Sequence, residues 1–422
     1  MNKYFTNFSD DILKAILYLR KHGIWMLSGK IFLMGSGLII SIILTRLLSL
    51  SEYGEYRYLF SLLLIFAFFS LPASTNAIIR FVPQGKDWSF ISLSKLRMKA
   101  SVLGSIAFLC LALNAHFSKS ETSPFIYVLL SLFFPIYHSF DLFEYFLQAK
   151  EKFKKLTILQ VLRAFIRLTA TVLICWITKS AVYTLITFLC ITSVFNIISY
   201  ILIKRDYHII KDSRIFSKSD IHKMAVRLSI VGLLPMVSNH LDKILIGNYI
   251  NTESLAIYTI GMLIGETING LFKGILSVLN PKLVYYQIKS WQYLFVLIFG
   301  TIMGVLILYF LPLFLEFFYS NEYSESILYA KIVLLSLGIH LSVTLYHKQL
   351  LFHIKKSLNI IYLGQSIISV TKIVLVFLFV VLPSSNSTKL FLLAMMYPIK
   401  HVVTASLFFM SEKLFFGYKE LN

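Results

Sequence analysis

The sequence predicts an all-α integral membrane protein with twelve transmembrane helices in two pseudo-symmetric six-helix lobes. Three observations carry that prediction. The first is composition. Hydrophobic residues make up 57% of the 422 residues, charged residues only 14%, and mean hydropathy is +0.76. No soluble fold could hide that apolar share from water. The second is continuity. The apolar runs are long rather than alternating, which is the pattern of helices. Crossing about 30 Å of hydrocarbon takes roughly 20 helical residues, and only helices or closed barrels satisfy the backbone there. The third is a repeat at half-length. The segment Ile43-Leu44-Thr45-Arg46-Leu47-Leu48-Ser49-Leu50-Ser51-Glu52-Tyr53-Gly54-Glu55-Tyr56 is echoed by the segment from Leu245 to Tyr258. Arg80 and Lys282 keep the offset of Tyr56 and Tyr258 without a gap. An apolar stretch, a polar turn and a second apolar stretch recur in the same direction, as two similar lobes would require.

Taken in order, residues 1–21 are expected to form a cytoplasmic amphipathic helix. Phe8, Ile12, Ala15, Ile16 and Leu19 make an apolar stripe beside Asp10, Asp11, Lys14, Arg20 and Lys21, a pattern that lies on anionic lipid. Twelve spans follow, at 24–46, 57–82, 98–115, 124–147, 156–177, 181–203, 224–249, 255–281, 291–318, 327–352, 358–382 and 389–411. The first lobe is residues 22–203, the second is 224–422, and the basic segment 204–223 links them on the cytoplasmic side. Alternate loops are basic, with Lys86, Lys95, Arg97, Lys150, Lys152, Lys154, Lys155, Lys282, Lys289, Lys355 and Lys356 among their cations. The other loops are short and carry Glu52, Glu55, Glu121, Glu253, Glu322 and Glu325. The positive-inside bias therefore places both termini in the cytoplasm. The first apolar run is a full span with no small-residue cleavage site after it, so no cleaved leader is expected. Trp25, Trp88, Trp176 and Trp291 fall near span ends, where interfacial anchoring explains them.

The net charge of +20 follows the loops and does not point to nucleic acid. Cys110, Cys175 and Cys190 fall in apolar spans, so they read as packing residues and not as a disulfide framework or metal site. No nucleophile elbow, metal-ligand spacing or nucleotide-binding motif is present, so no enzyme is expected and no cofactor is implied. Gly35-Ser36-Gly37 lies within a span and reads as close helix packing. Pro72, Pro135, Pro235, Pro312 and Pro398 sit inside predicted spans, where each removes a backbone bond and can kink its helix.

Ionisable groups at membrane depth cost several kcal/mol unless they face a partner or a wet cavity, which makes them the candidates for function. Span five carries Gln160, Arg163, Arg167 and Thr171 on one helical face. Span eight carries Glu266, Asn269 and Lys273 likewise, and span eleven Gln365, Ser369 and Lys372. Lys30 lies about two turns into span one, Asp242 and Lys243 near the end of span seven, and His340 in span ten. Lys400 and His401 lie in span twelve. Lys30, Arg163, Arg167, Lys273 and Lys372 are expected to line a cationic cavity for a polyanion such as a diphosphate. The competing reading is interhelical ion pairing, with Asp242 or Glu266 beside a lysine, or snorkelling near span ends. His340 and His401 read either as packed residues with a satisfied hydrogen bond or as a proton relay.

Three segments carry a family likeness: Ile43 to Tyr56 running on to Ala77-Ile78-Ile79-Arg80-Phe81, Leu147 to Leu168, and His240-Leu241-Asp242-Lys243-Ile244-Leu245-Ile246-Gly247 through Tyr258. With them the chain resembles the polysaccharide-transporter branch, the O-antigen or capsule repeat-unit flippases, of the multidrug/oligosaccharidyl-lipid/polysaccharide exporter superfamily. The resemblance implies a V-shaped fold of twelve helices in a bacterial cytoplasmic (inner) membrane. It implies alternating-access flipping of undecaprenyl-diphosphate-linked oligosaccharide, with a polysaccharide polymerase and a chain-length regulator as partners and membrane lipid around the chain. Asp242 and Lys243 are its signature positions; Glu266 and His340 join them as coupling candidates, with Na+ and H+ both open as coupling ion. The alternatives are a cation-coupled multidrug or small-molecule exporter of the same superfamily, and a membrane-embedded oligosaccharide polymerase or ligase. The first-lobe spans hold few deep acids for a drug exporter, and the short outer loops leave little room for a polymerase's acceptor.

Overall fold

The structure, a computed structural model, describes residues 24–118, 123–209, 215–283, 288, 290–353 and 358–416. The expected amphipathic helix over 8–21 lies outside them. The described residues are helical, with turns between, and contain no strand. The chain runs through α1 (Ile24–Leu47), α2 (Leu50–Phe66), α3 (Ser74–Phe81), α4 (Ser89–Phe117), α5 (Pro124–Ser139), α6 (Phe143–Ala149), α7 (Phe153–Thr178) and α8 (Ala181–Asp206). It continues through α9 (Ile215–Val231), α10 (Leu233–Tyr249), α11 (Thr252–Leu283), α12 (Ser290–Phe318), α13 (Ser326–Leu335), α14 (Leu337–His353), α15 (Leu358–Val381) and α16 (Asn386–Phe416).

The chain forms two compact units: a first unit of residues 39–244, and a second of residues 1–38 with 245–422. Both divisions fall inside helices, α1 and α10. The 204–223 stretch lies within the sequence of the first unit.

Among the described residues, eight helices are long and apolar enough to cross a membrane, or up to eleven if each of three bent pairs is one span. The twelve expected spans are thus matched in part, and α16 occupies the range of the last. Three expected spans are bent by more than 40° at a break. The stretch 57–82 bends by 51° between residues 70 and 74, 224–249 by 42° at 232, and 327–352 by 48° at 336. In the first, Leu71 takes a left-handed backbone (φ 55°) and Pro72 has no N–H to continue the ladder. In the second, Pro235 denies a donor to the turn around Gly232. Pro312 and Pro398, by contrast, stay inside α12 and α16.

The repeat is legible in three dimensions. At the start of α2, Ser49 Oγ accepts from the Glu52 backbone N–H at 3.3 Å. At the equivalent start of α11, Asn251 Oδ1 accepts from the Ser254 N–H at 2.7 Å. Both are side-chain caps of an otherwise orphaned first-turn donor. The echoed apolar positions share burial: Leu44 and Ile246, Tyr56 and Tyr258 are all buried.

Large apolar side chains cover the outside. Phe165, Trp176, Trp291, Tyr309 and Phe317 are exposed, and the α12 window is only 17% buried. Such a surface is stable against acyl chains and not against water: this is a multi-pass membrane protein. Inside the first unit, Phe90, Leu93, Leu142, Phe143, Phe146 and Ile221 form one apolar cluster. Inside the second, helices approach through glycine. A Cβ on Gly265 would lie 1.9 Å from Val333, one on Gly270 2.0 Å from Met34 Cε, and one on Gly338 2.3 Å from the Leu297 carbonyl. These are the small-residue contacts of membrane helices. Gly35 and Gly37 were expected to serve that purpose; a Cβ on either would meet nothing within 4 Å.

Candidate functional site

In the first unit the polar face of α7 turns inward while Leu162, Phe165, Ile166 and Leu173 face out. The helical steps from Gln160 to Arg163 to Arg167 put these side chains on that face, as their spacing predicts. Their chemistry divides. Arg163 is buried and forms an ion pair with Glu144 of α6 through Nη2. Its Nη1 donates to Asn196 Oδ1 of α8 at 3.1 Å. Gln160 donates to the other oxygen of Glu144 at 2.6 Å. Asp141 is held by Arg97 of α4, at 2.6 Å, and Arg97 Nε donates to the Ser70 carbonyl at 3.1 Å. Both carboxylates of this region are therefore neutralised in place.

Arg167, one turn further along α7, makes no ion pair and no hydrogen bond among the described residues, and its Nε is buried without a partner there. Its guanidinium lies 4.8 Å from the Phe188 ring centroid, and the Tyr56 and Tyr137 phenols are within electrostatic range. Arg57 of α2 likewise has its Nε buried without a partner, and lies near Tyr56. Guanidinium groups held among aromatic rings, with donors unspent, suit phosphate or sugar oxygens. Asp242 and Lys243, 4% exposed each, are buried next to one another in α10.

In the second unit, α11 supplies Glu266, Asn269 and Lys273. Asn269 is buried and donates to the Tyr397 hydroxyl of α16. Glu266 and Lys273 are exposed and close enough to interact. Lys30 of α1 lays its stem on Gly274, where a Cβ would meet Lys30 Cδ at 3.3 Å. His340 of α14 and His401 of α16 are hydrogen-bonded to each other. Lys273, Lys372 and Lys400 all lie within electrostatic range of His401. On α15, Gln365 bonds His347 at 2.8 Å, and Ser369 turns back to the Gln365 carbonyl at 2.7 Å.

The expected residues thus form two groups: Arg163 and Arg167 with aromatic neighbours in one unit, and Lys273, Lys372 and His340 around His401 in the other. Sequence reasoning placed Arg97 among cytoplasmic loop cations; it is 2% exposed and inside α4. Its signal was the small polar stripe Ser94, Arg97, Ser101, Gly104, all buried. Glu144 as the partner of Arg163 was also missed, because it depends on the chain breaking between α5 and α6. Among the described residues no group of three or more His, Cys, Asp or Glu could hold a metal ion.

Comparison with known proteins places this architecture. Among curated proteins none matches the sequence. Solved structures match the fold over nearly all of it. An inward-facing multidrug resistance MATE family transporter of the MOP superfamily superposes with a TM-score of 0.64 at 11% identity, over 94% of this chain and 99% of that one. The lipid II flippase MurJ in its inward closed conformation gives 0.67 at 14% identity, over 92% and 87%. A Pyrococcus furiosus MOP superfamily transporter, described as having a binding pocket of reversed polarity, gives 0.60 at 11%, over 95% and 96%. The family described as polysaccharide biosynthesis protein matches residues 19–287. With well over half its length inside that match and a MOP-transporter fold throughout, this chain belongs to the polysaccharide biosynthesis protein family.

Proposed function

We propose that the protein is a flippase moving undecaprenyl-diphosphate-linked oligosaccharide across a bacterial cytoplasmic membrane by alternating access, both termini cytoplasmic. A polymerase and a chain-length regulator would use the product. The observation that supports this most is Arg167. Placing an arginine at membrane depth costs about 2.5–3.5 kcal/mol even on insertion scales. Arg163 and Arg97 recover that through carboxylates; Arg167 has none among the described residues. An unneutralised guanidinium set among Phe188, Tyr56 and Tyr137 is a site for an anion or a sugar ring brought from outside the chain.

The runner-up is a cation-coupled drug exporter, favoured by the multidrug transporters among the structural relatives. Such an exporter needs a carboxylate free to take a cation. Asp141 and Glu144 of the first unit are already held by arginine, and Asp242 is buried beside Lys243 in α10.

The test is complementation of a strain lacking the protein. The wild-type chain should restore surface polysaccharide and clear accumulated lipid-linked repeat units. Arg167→Ala should cut export roughly 10- to 100-fold at normal protein level, the loss of one to two charge-assisted hydrogen bonds, and Arg167→Lys should be milder. Full export by the alanine variant would remove Arg167 from the site.

A further inference from the structure

The short helix α3 lies just beyond the 51° bend at Leu71-Pro72, and its far end holds two cations on one aromatic ring. α3 closes through one tighter turn, Val82–Gln84, and Gly85 takes a left-handed backbone at φ 79°. The Gly85 N–H donates to the Val82 carbonyl at 3.0 Å and the Lys86 N–H to the Phe81 carbonyl at 3.3 Å. This is a glycine stop that folds the chain back on its helix. Lys86 Nζ then lies 4.9 Å from the centre of the Phe81 ring. Arg80 Cζ, from within α3, lies 5.8 Å from the same centre. Phe81 itself packs against the apolar cluster of the first unit, so the ring is held in place while the two cations reach the surface.

Two like charges on one ring oppose each other. Each is drawn to the negative face of the ring, but the ring brings no counter-charge. A helix C-terminus favours a cation near its last carbonyls; it gives no reason for a second on the same ring. The adjacent acid, Asp87, is engaged elsewhere, with Oδ2 2.8 Å from Lys150 Nζ. Among the described residues neither Arg80 nor Lys86 has a carboxylate within ion-pair distance. The neighbours mark the depth. Ile79 is exposed beside Arg80, and Trp88 is half-buried just past Lys86. An exposed aliphatic side chain, an indole and unspent cations within ten residues are the composition of a headgroup layer. The anion abundant at that depth is lipid phosphate, which a guanidinium meets with a fork of donors and an ammonium as a point charge. We propose that Arg80 and Lys86, set on Phe81, form a binding site for the phosphate of an anionic lipid headgroup. The site is separate from Arg167, and nothing in it depends on what the protein transports.

Thermophoresis of the full-length chain in a non-ionic maltoside detergent, titrated with phosphatidylglycerol or with phosphatidylcholine of the same acyl chains, reads the binding. Both lipids carry a phosphate, and only phosphatidylglycerol is a net anion. The wild type should bind phosphatidylglycerol the more tightly, and equal affinities overturn the proposal. Arg80→Gln with Lys86→Gln should weaken phosphatidylglycerol about 5-fold per cation removed and leave phosphatidylcholine unchanged. Lys95→Gln with Lys152→Gln removes two other exposed cations and should cost far less. If it costs as much, the preference belongs to the field of all the basic loops and the site is overturned. Inorganic phosphate at the same phosphate concentration should not displace the lipid; displacement assigns the site to free phosphate and overturns the lipid reading. Should the double variant unfold early, Lys86→Gln decides alone, since it keeps the backbone bond to Phe81. A loss of about 5-fold is expected there, and wild-type affinity overturns the site.

Discussion

Each unit contains a joint between a helix of one half of the repeat and a helix of the other, and the two joints are built differently. In the second unit, α1 meets α11 with both helices unbroken. Met34 sits over Gly270 and the Lys30 stem over Gly274. In the first unit the equivalent pair is α2–α3 with α9–α10, and both are broken, at Leu71-Pro72 and at Gly232. By the repeat offset Lys30 corresponds to Gly232, and Lys273-Gly274 to Leu71-Pro72. Where one joint carries a cation on a continuous helix, the other carries an uncharged break. Broken backbone within a membrane must find its hydrogen bonds inside the protein. The Ala73 N–H does so on Ser229 Oγ, at 3.2 Å, while Ser229 donates to the Ala225 carbonyl at 2.7 Å. The difference teaches that a shared sequence repeat fixes the register of a joint without fixing its stiffness. Glycine and lysine make one continuous; proline and glycine make the other bent, with a serine satisfying the freed donor.

The charges follow the same division. In the first unit Asp141 and Glu144 are locked to arginines, whereas in the second Lys273, Lys372 and Lys400 lie around His401. Breaking a locked pair should therefore give the largest effect. Arg163→Ala leaves the half-buried Glu144 with Gln160 alone and should cost toward the lower end of about 3–5 kcal/mol, read as a fall in thermal unfolding temperature in detergent and in protein level. Adding Glu144→Gln should return most of it. If Arg163→Ala stayed as stable as the wild type, the Arg163–Glu144 pair would carry no weight in the fold. It also follows that lost export in an Arg163 variant would report on folding, and that of the two α7 arginines Arg167 is the one that reports on substrate.

A middle-sized effect should appear at the continuous joint. Gly270→Leu places its Cβ 2.0 Å from Met34 Cε. Overpacking of that kind costs about 1–3 kcal/mol. The methionine end is flexible, so Gly270→Leu with Met34→Ala should recover most of the loss. An uncompensated double variant would place the clash elsewhere than between α1 and α11.

How much of this could be read beforehand depended on whether the cause was local. Ser49 and Asn251 cap their own helices, so the repeated turn was visible. The α7 face was visible because Gln160, Arg163 and Arg167 need only helical spacing to align. The division between Arg163 and Arg167 was not, because Glu144 and Asn196 come from other helices and no spacing within α7 announces them. Arg97 was misplaced for the same reason: without Asp141 it looks like one more basic residue at a span end. Gly35 and Gly37 drew the packing assignment that belongs to α11, where Gly261 and Gly265, then Gly270 and Gly274, recur at steps of four. That spacing is the true sign of close approach, and it was there to be counted.

The smallest effect should be found at the bent joint, and its sign carries the information. A Cβ on Gly232 would meet the Leu228 and Ser229 carbonyls at 3.5 Å, ordinary contact distance. Alanine fits without displacing anything. Where the backbone is one alanine can adopt, it is favoured over glycine by about 0.4–1 kcal/mol through the unfolded chain. If the bend is set by Pro235 and by the Ala73–Ser229 hydrogen bond, Gly232→Ala should stabilise the protein by up to about 1 kcal/mol, and polysaccharide export should be retained. If glycine is there because the joint straightens and bends during transport, the same variant should gain stability and lose export. Thermal unfolding and export measured on that one variant separate a fixed elbow from a working hinge, and a loss of stability would contradict both, since nothing in the contacts around Gly232 excludes a methyl group.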